Sequence, residues 1–276
     1  MKRIINFYLK KLMTKKIIAL LLIVIGFSIS YAQDDDRPQN TGDNFSLEGA
    51  LSLFKKANSL QKFEKMLNKE NNNVNNLDLN NDGDIDYIMV DDIQEGNNHV
   101  IVLSTYINGN EKQDIATIGI EKNGNESATL QIEGDQDLYA QNTFVEPSDN
   151  KDSYSGGKGG PNVPEIITTQ LVVNVWFWPS VRFLYAPTYI AWHSPWRWGF
   201  YPRWWRPWRP YQFSVFYGNC APFRAYYRRV PMRRVMVAHN MYAPRRHFST
   251  FVVHNRRSGP MIRQRGRGRR HGRNRR

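Results

Sequence analysis

The sequence is short of cysteine and, in its second half, of acidic residues and lysine. Cys220 is the only cysteine among 276 residues, which excludes an intramolecular disulfide and a cysteine-rich zinc module. Residues 161–276 contain 22 arginines, no lysine and one acidic residue, a net charge of +21. Residues 33–160 contain 24 acidic and 10 basic groups, a net charge of −14. The overall charge of +13 therefore hides an acidic part followed by an arginine-only basic part.

No apolar run reaches the roughly 20 residues that a membrane-spanning helix needs. The longest, residues 17–29, follows a lysine-rich stretch and precedes Ser30-Tyr31-Ala32. Ser30 and Ala32 are small residues at the two positions that signal peptidase recognises. We therefore predict a signal peptide at residues 1–32 and export to the periplasm, the outer surface or the medium. An uncleaved membrane anchor is the alternative interpretation. Met13 is a second candidate start codon.

Sequence motifs for catalysis are missing. The chain contains no nucleophile elbow, no phosphate-binding glycine loop and no HExxH sequence. None of its six histidines is paired at i, i+4. Nothing in the sequence brings Cys220 and His239 together as a nucleophile and base. We therefore expect neither an enzyme nor a small-molecule substrate.

Residues 42–147 predict an α+β module, with two short N-terminal helices packed on an antiparallel β-meander of about four strands. Leu47, Leu51 and Phe54 follow the N-cap candidate Ser46 at helical spacing, and a second helical pattern begins after Ser59. Asn-Gly turn sequences then separate runs that favour strands. The predicted strands are residues 87–93, 99–107, 114–121 and 127–133.

A loop between the predicted helices and strands has the spacing of a calcium loop. Oxygen-bearing side chains occupy alternate positions, with Gly83 at the sixth position where the chain must turn. The candidate ligands are Asp78, Asn80, Asp82, Asp84 and Asp86. Because the usual twelfth-position glutamate is replaced by Met89, we expect weak, structural Ca²⁺ binding, with a dissociation constant on the order of 10⁻⁴–10⁻³ M. A polar turn without an ion is the alternative.

The same loop resembles the calcium loops of integrin-type repeats, in which an acid at the ninth position completes the ligand set and a strand follows. This resemblance covers about ten residues. It implies that Asp84 would ligate through its carbonyl oxygen and the other four residues through their side chains.

A glycine-rich stretch and a change of composition mark the start of the basic part. Residues 148–164 predict a flexible linker, and residues 165–255 a Trp/Arg/Pro-rich segment that is irregular or forms β-hairpins, with strand-like patterns at 171–178 and 181–185. All eight tryptophans lie between Trp176 and Trp208. The residues predicted to bind an anionic surface are Trp196, Arg197, Trp198, Arg203, Trp204, Trp205, Arg206, Trp208 and Arg209.

Several partners fit this mixture of indole and guanidinium groups. An anionic membrane surface or polysaccharide is our first interpretation, because indoles settle at interfaces or stack on rings while arginine pairs with anions. Packing of arginine and tryptophan on one another, docking on the acidic module, and binding of a partner protein are the alternatives. Residues 256–276 hold ten arginines, which predict a disordered tail similar to RGG nucleic-acid tails. Export disfavours cytosolic nucleic acid and leaves extracellular DNA, anionic polysaccharide or lipid phosphate as targets, so an extracellular nucleic-acid binder is a further alternative.

Most of residues 13–210 resembles a group of uncharacterised exported proteins of the Bacteroidota. The resemblance rests on the Ser-Tyr-Ala-Gln signal end, the sequences 74–78 and 86–88 that flank the loop, and the Trp196-Arg197-Trp198-Gly199 sequence. It implies export and this order of modules, and it implies no enzymatic activity.

Overall fold

The computed structural model describes residues 38–140, 142–148 and 172–255. The predicted signal peptide at 1–32, the predicted tail at 256–276 and all but the first residue of the predicted linker lie outside the described residues. The described residues all belong to one compact unit.

The fold is built on a six-stranded antiparallel sheet in which each strand pairs with the next in sequence. The strands are β1 (Met89–Glu95), β2 (Asn98–Tyr106), β3 (Lys112–Gly124), β4 (Ser127–Gly134), β5 (Phe144–Pro147) and β6 (Tyr227–Val230). The predicted α+β class with an antiparallel sheet is thus confirmed, although the sheet has six strands rather than about four. The last strand comes from the basic part of the chain, so both parts share one sheet.

Helices cover both faces of this sheet. They are α1 (Leu47–Lys56), α2 (Leu60–Leu67), α3 (Pro179–Leu184), α4 (Phe213–Asn219), α5 (Ala221–Arg224) and α6 (Met236–Tyr242). The Ser46 hydroxyl accepts a hydrogen bond from the Gly49 amide at 3.0 Å, and Ser59 caps α2 in the same way through Lys62 at 3.1 Å. These serine caps satisfy amides that have no partner within the helix, and they fix where α1 and α2 begin.

A row of aliphatic side chains across the sheet forms the centre of the main core. Ile101, Ile118, Ile132 and Val145 are opposite one another on β2 to β5, and all four are fully buried. Helices α1 and α2 pack on this face and contribute Phe54 and other apolar side chains to the same cluster. Cross-strand contacts between branched side chains therefore hold the middle of the sheet together.

The opposite face carries a smaller apolar cluster under α6. Val100 and Val102 of β2 contact Val235, Ala238 and neighbouring residues of α6. Gly119 on β3 makes this close approach available, since a Cβ atom there would lie 2.7 Å from Val235 Cγ2. The chain after residue 230 therefore returns across the sheet and closes its second face.

The Trp/Arg/Pro-rich segment contains more helix than its sequence indicated. The strand pattern at 181–185 was wrong, because residues 181–184 lie in α3, where Pro179 occupies the first turn, and Tyr185 is the C-cap. The pattern at 171–178 was also wrong over its described part, since residues 172–178 form no strand. Proline has its φ angle preset for that position and lacks only an amide that would be unpaired there. Among the described residues, no helix is long and apolar enough to cross a membrane.

Residues 192–194 cover the free edge of the sheet at β1. The Asp92 amide donates to the Trp192 carbonyl at 2.8 Å, and the Ser194 amide donates to the Val90 carbonyl at 3.1 Å. An uncovered edge strand invites pairing with another chain, so this short bridge protects β1. Residues 194–210, called here the Trp/Arg run, begin beside it.

Candidate functional site

The 78–86 loop is curled by hydrogen bonds between its side chains and its own backbone. The two Asp78 carboxylate oxygens accept from the Asp82 amide at 3.1 Å and the Gly83 amide at 3.0 Å. Asn80 Oδ1 also accepts from the Asp82 amide, and Asp82 Oδ1 accepts from the Asp84 amide at 2.9 Å. Gly83 has a φ of 88°, which is strained for other residues, so glycine is required at the turn.

Asp86 is the most buried carboxylate of this loop. It is 7% exposed, and its Oδ2 accepts from the Leu79 amide at 2.6 Å. Burial, followed by repulsion from Asp78 and Asp82, raises the pKa of Asp86 to about 8. Burial is also the main cause of the raised pKa of Asp78. In their present positions, no three His, Cys, Asp or Glu side chains of the described chain form a metal-ligating group.

The exit of the loop packs directly against the Trp/Arg run. The Ile85 amide donates to the Trp208 carbonyl at 2.8 Å. The Tyr87 ring meets Trp205 edge-on at a centroid distance of 5.1 Å and Tyr201 at 5.4 Å. The loop and the Trp/Arg run are therefore in contact, although they are far apart in the sequence.

The nine residues predicted to bind an anionic surface fall into two groups. Trp205 and Trp208 are buried against Ile85 and its neighbours, where they serve as core residues. Trp196 is half-buried, while Trp198 and Trp204 are 38% and 44% exposed. The four arginines of this set are all exposed, namely Arg197, Arg203, Arg206 and Arg209.

A tight turn presents part of this exposed group. The Phe200 amide donates to the Arg197 carbonyl at 2.8 Å, and Gly199 adopts a φ of 73° between them. The Arg197 guanidinium lies 4.6 Å from the centre of the Phe200 ring. The turn therefore holds a cation, Trp198 and Phe200 together at the surface.

Arginines of the basic part divide by position along the chain. All six between residues 228 and 246 form ion pairs with carboxylates of the acidic part, for example Arg228 with Glu146 at 2.7 Å and Arg246 with Asp135 at 2.6 Å. Among the described residues, none of the six between 182 and 224 has a carboxylate partner; these include the four exposed arginines of the Trp/Arg run. Neutralisation by the acidic part, an alternative from the sequence, thus accounts for the arginines at 228–246 and, among the described residues, for none of those at 182–224.

A groove lies between α2 and the Trp/Arg run. Its volume is about 400 Å³. Its walls include Trp196 and Trp204 on one side and the exposed Lys62 and Lys65 on the other. The Lys65 ammonium lies 5.2 Å from the centre of the Trp204 ring. No sequence pattern predicts this groove, because α2 and the tryptophans are more than 120 residues apart.

One carboxylate, Glu64, lines the groove, and its hydrogen bonds are directed inward. It accepts from the Tyr87 hydroxyl at 2.8 Å, the Ser194 hydroxyl at 3.1 Å and the Val90 amide at 3.2 Å. Burial raises the pKa of Glu64, against the effect of these hydrogen bonds. The free charges at the groove are therefore positive.

A histidine cluster that the sequence did not predict lies in the core. His99 Nδ1 is 2.9 Å from Asp92 Oδ2, and the Tyr189 hydroxyl donates to the same oxygen at 2.6 Å. His99 and Asp92 are almost fully buried, and the rings of Tyr185 and Tyr189 meet the imidazole edge-on. The cluster links β1 and β2 to Tyr189, which packs over them. Because the imidazole is buried, a substrate could not reach it in this conformation.

The fold and these surfaces define an α+β domain with an exposed patch of aromatic and unpaired cationic groups. Comparison with known protein families, curated proteins and solved structures finds no match.

Proposed function

We propose that this is an exported, non-enzymatic protein that binds an anionic envelope surface or polysaccharide through its Trp/Arg run. Residues 1–32 would direct export, and residues 42–147, as two helices on a meander, would supply the scaffold. The arginines and exposed aromatic rings around residues 196–209 would make the contact. The tail at 256–276 would add long-range attraction.

The division of the arginines carries this proposal. Those at 228–246 are neutralised by the acidic part, whereas Arg197, Arg203, Arg206 and Arg209 remain exposed beside Trp198 and Trp204. Desolvating an exposed apolar ring is favourable, and each arginine near an anionic surface adds about 1 kcal/mol. An internal role as an arginine–tryptophan ladder would not leave these groups in solvent.

We propose that Ca²⁺ stabilises the 78–86 loop in the exported protein. Five alternating oxygen ligands, the glycine turn and a buried Asp86 carboxylate support this role. A bound cation would compensate the cost of burying an ionised Asp86 among neighbouring carboxylates. Since Ile85 and Tyr87 contact the Trp/Arg run, the ion would also steady the base of the binding surface.

Retention of the full chain on charged matrices tests the proposed function. We expect retention on immobilised alginate or on phosphatidylglycerol vesicles, release by about 1 M NaCl, and no retention on neutral dextran or phosphatidylcholine vesicles. Equal retention on charged and neutral matrices, or no retention on either anionic matrix, would contradict the proposal.

A partner protein is the second candidate, and the exposed apolar residues favour it. Val215 and Tyr217 on α4 and Val237 on α6 are each about half exposed. Fractionation of the native host separates the two candidates. Pelleting with the envelope and release by salt supports the first, whereas a salt-stable complex of fixed composition supports the second.

A further inference from the structure

We propose that the groove between α2 and the Trp/Arg run binds an acidic sugar residue of a polysaccharide such as a polyuronate. This inference rests on the proposed function and names its ligand class. The groove of about 400 Å³ falls within the range of roughly 300–1,000 Å³ that is usual for small-ligand sites.

The groove combines the three chemical features that a sugar acid requires. Trp204 is 44% exposed and carries the Lys65 ammonium 5.2 Å from its ring centre, and Trp196 is half-buried in the same wall. The two indoles therefore offer apolar surface to a pyranose ring next to a cation. Exposed side-chain amides of Asn58 and Gln61 offer both donors and acceptors for ring hydroxyls. Lys62 provides an ammonium group for the carboxylate.

Charge decides in favour of an acidic rather than a neutral sugar. Lys62 and Lys65 are both exposed, and no carboxylate of the described residues forms an ion pair with them. Glu64 turns both of its oxygens to Tyr87, Ser194 and Val90, so it does not neutralise the lysines. An anion entering the groove therefore meets two unpaired cations and no exposed competing anion.

The shape of the site favours a saccharide chain over a lipid surface. Binding in the plane of a membrane requires indoles that project outward together, whereas Trp196 and Trp204 here form the wall of a depression. A chain of sugars can place one acidic ring in the depression and its neighbours along the exposed arginines. Phosphatidylglycerol vesicles and single-stranded DNA are therefore the competing probes.

The test measures binding of alginate hexasaccharide to the full chain by calorimetry in about 0.1 M NaCl. We expect Lys62→Gln/Lys65→Gln to weaken binding about 10- to 30-fold, since two cations near an anion are lost. Trp204→Ala should weaken it by a similar factor. The matched control Lys56→Gln/Lys69→Gln removes the same charge from exposed positions outside the groove and should change the affinity less than twofold.

Each outcome decides for or against the groove. Preferential binding of alginate over maltohexaose, lost in the groove variants alone, supports the proposal. Two results would overturn the groove proposal while leaving the proposed function intact. One is equal weakening of alginate binding by the groove and control variants. The other is tighter binding of vesicles or DNA than of alginate, unaffected by the groove variants. Failure of the full chain to bind any of the polyanions would contradict the proposed function as well. Unchanged thermal midpoints establish that the variants are folded.

Discussion

At the scale of single residues, a missing side chain and a buried carboxylate matter most. Gly119 has no Cβ atom, so the side chains of Val235 and Ala238 can pack directly on the backbone of β3. Glu64 on α2 accepts hydrogen bonds from Tyr87, from Val90 in β1 and from Ser194, which covers the sheet edge. Neither residue stands out in the sequence. Their importance comes from the tertiary structure, which packs other segments of the chain against them.

We predict that Gly119→Ala destabilises the fold by about 1–3 kcal/mol, because the new methyl group would overlap Val235 and Ala238. Gly218→Ala is the control. It lies in α4 with nothing within 4 Å of an added Cβ atom, so it should be neutral or stabilising by up to about 1 kcal/mol. Urea unfolding of the three proteins measures both effects, and equal stability of the two variants would contradict the close packing of α6.

Glu64 should make the free energy of unfolding fall as the pH rises. Its pKa is raised in the folded state, so the folded protein holds the proton more tightly than the unfolded chain. Its contribution to stability is therefore complete below about pH 4 and is lost as pH rises through the raised folded value. Glu64→Gln should flatten this part of the curve of unfolding free energy against pH. A variant curve parallel to the wild-type curve from pH 4 upward would contradict the assignment.

At the scale of elements, two of the features that join the acidic and basic parts are the 78–86 loop and the chain return, residues 227–246. The loop touches the Trp/Arg run through Ile85 and Tyr87. The return carries β6 and α6 onto the sheet, with Glu146 opposite Arg228 across neighbouring strands. Both features depend on contacts between residues that are distant in sequence.

Calcium should stabilise the protein through the loop. With a dissociation constant on the order of 10⁻⁴–10⁻³ M, 10 mM CaCl₂ adds about 1–3 kcal/mol to the unfolding free energy. Calorimetry should show a rise of roughly 5 °C in the melting temperature, which Asp82→Asn removes and Glu126→Gln, at an exposed position outside the loop, retains. An unchanged wild-type melting temperature, or an equal response from Asp82→Asn, would contradict calcium binding.

The ion pairs formed by the arginines at 228–246 should contribute more to the free energy of unfolding than the exposed arginines of the Trp/Arg run do. Arg246 donates to both oxygens of the buried Asp135 and also pairs with Asp137. Arg246→Gln leaves Asp135 without its cation and should cost about 3–5 kcal/mol. Arg203→Gln, at an exposed position, should change stability by less than about 0.5 kcal/mol. Chemical denaturation of the two variants measures the contrast, and similar costs would refute the division of the arginines.

At the scale of the whole molecule, sequence patterns predicted the class of fold but not its assembly. Alternating apolar residues such as Ile118 and Ile120, with Asn-Gly turns between runs, indicate an antiparallel sheet because they act locally. Strands β5 and β6 have four residues each and carry charges, so no periodicity reveals them.

The candidate site shows the same limit. Composition pointed to the Trp/Arg run, yet it did not distinguish Trp205 and Trp208, which are core residues, from the exposed Trp198 and Trp204. That distinction depends on the exit of the 78–86 loop, where Ile85 and Tyr87 pack in one cluster with Trp205 and Trp208. Lys62 and Lys65 join the site through tertiary structure alone.

The salt dependence of binding to alginate tests the central claim that the exposed arginines of the run bind an anionic partner. Arg197→Gln/Arg203→Gln/Arg209→Gln removes three of them and spares Arg206, whose guanidinium donates to the carbonyls of Arg203 and Trp205. We predict that the slope of log K against log salt concentration becomes shallower by about 2–3, since each lost cation releases one counterion fewer. The control Lys55→Gln/Lys56→Gln/Lys69→Gln should leave the slope nearly unchanged. An unchanged slope in the arginine variant, or an equal change in the lysine variant, would contradict the account.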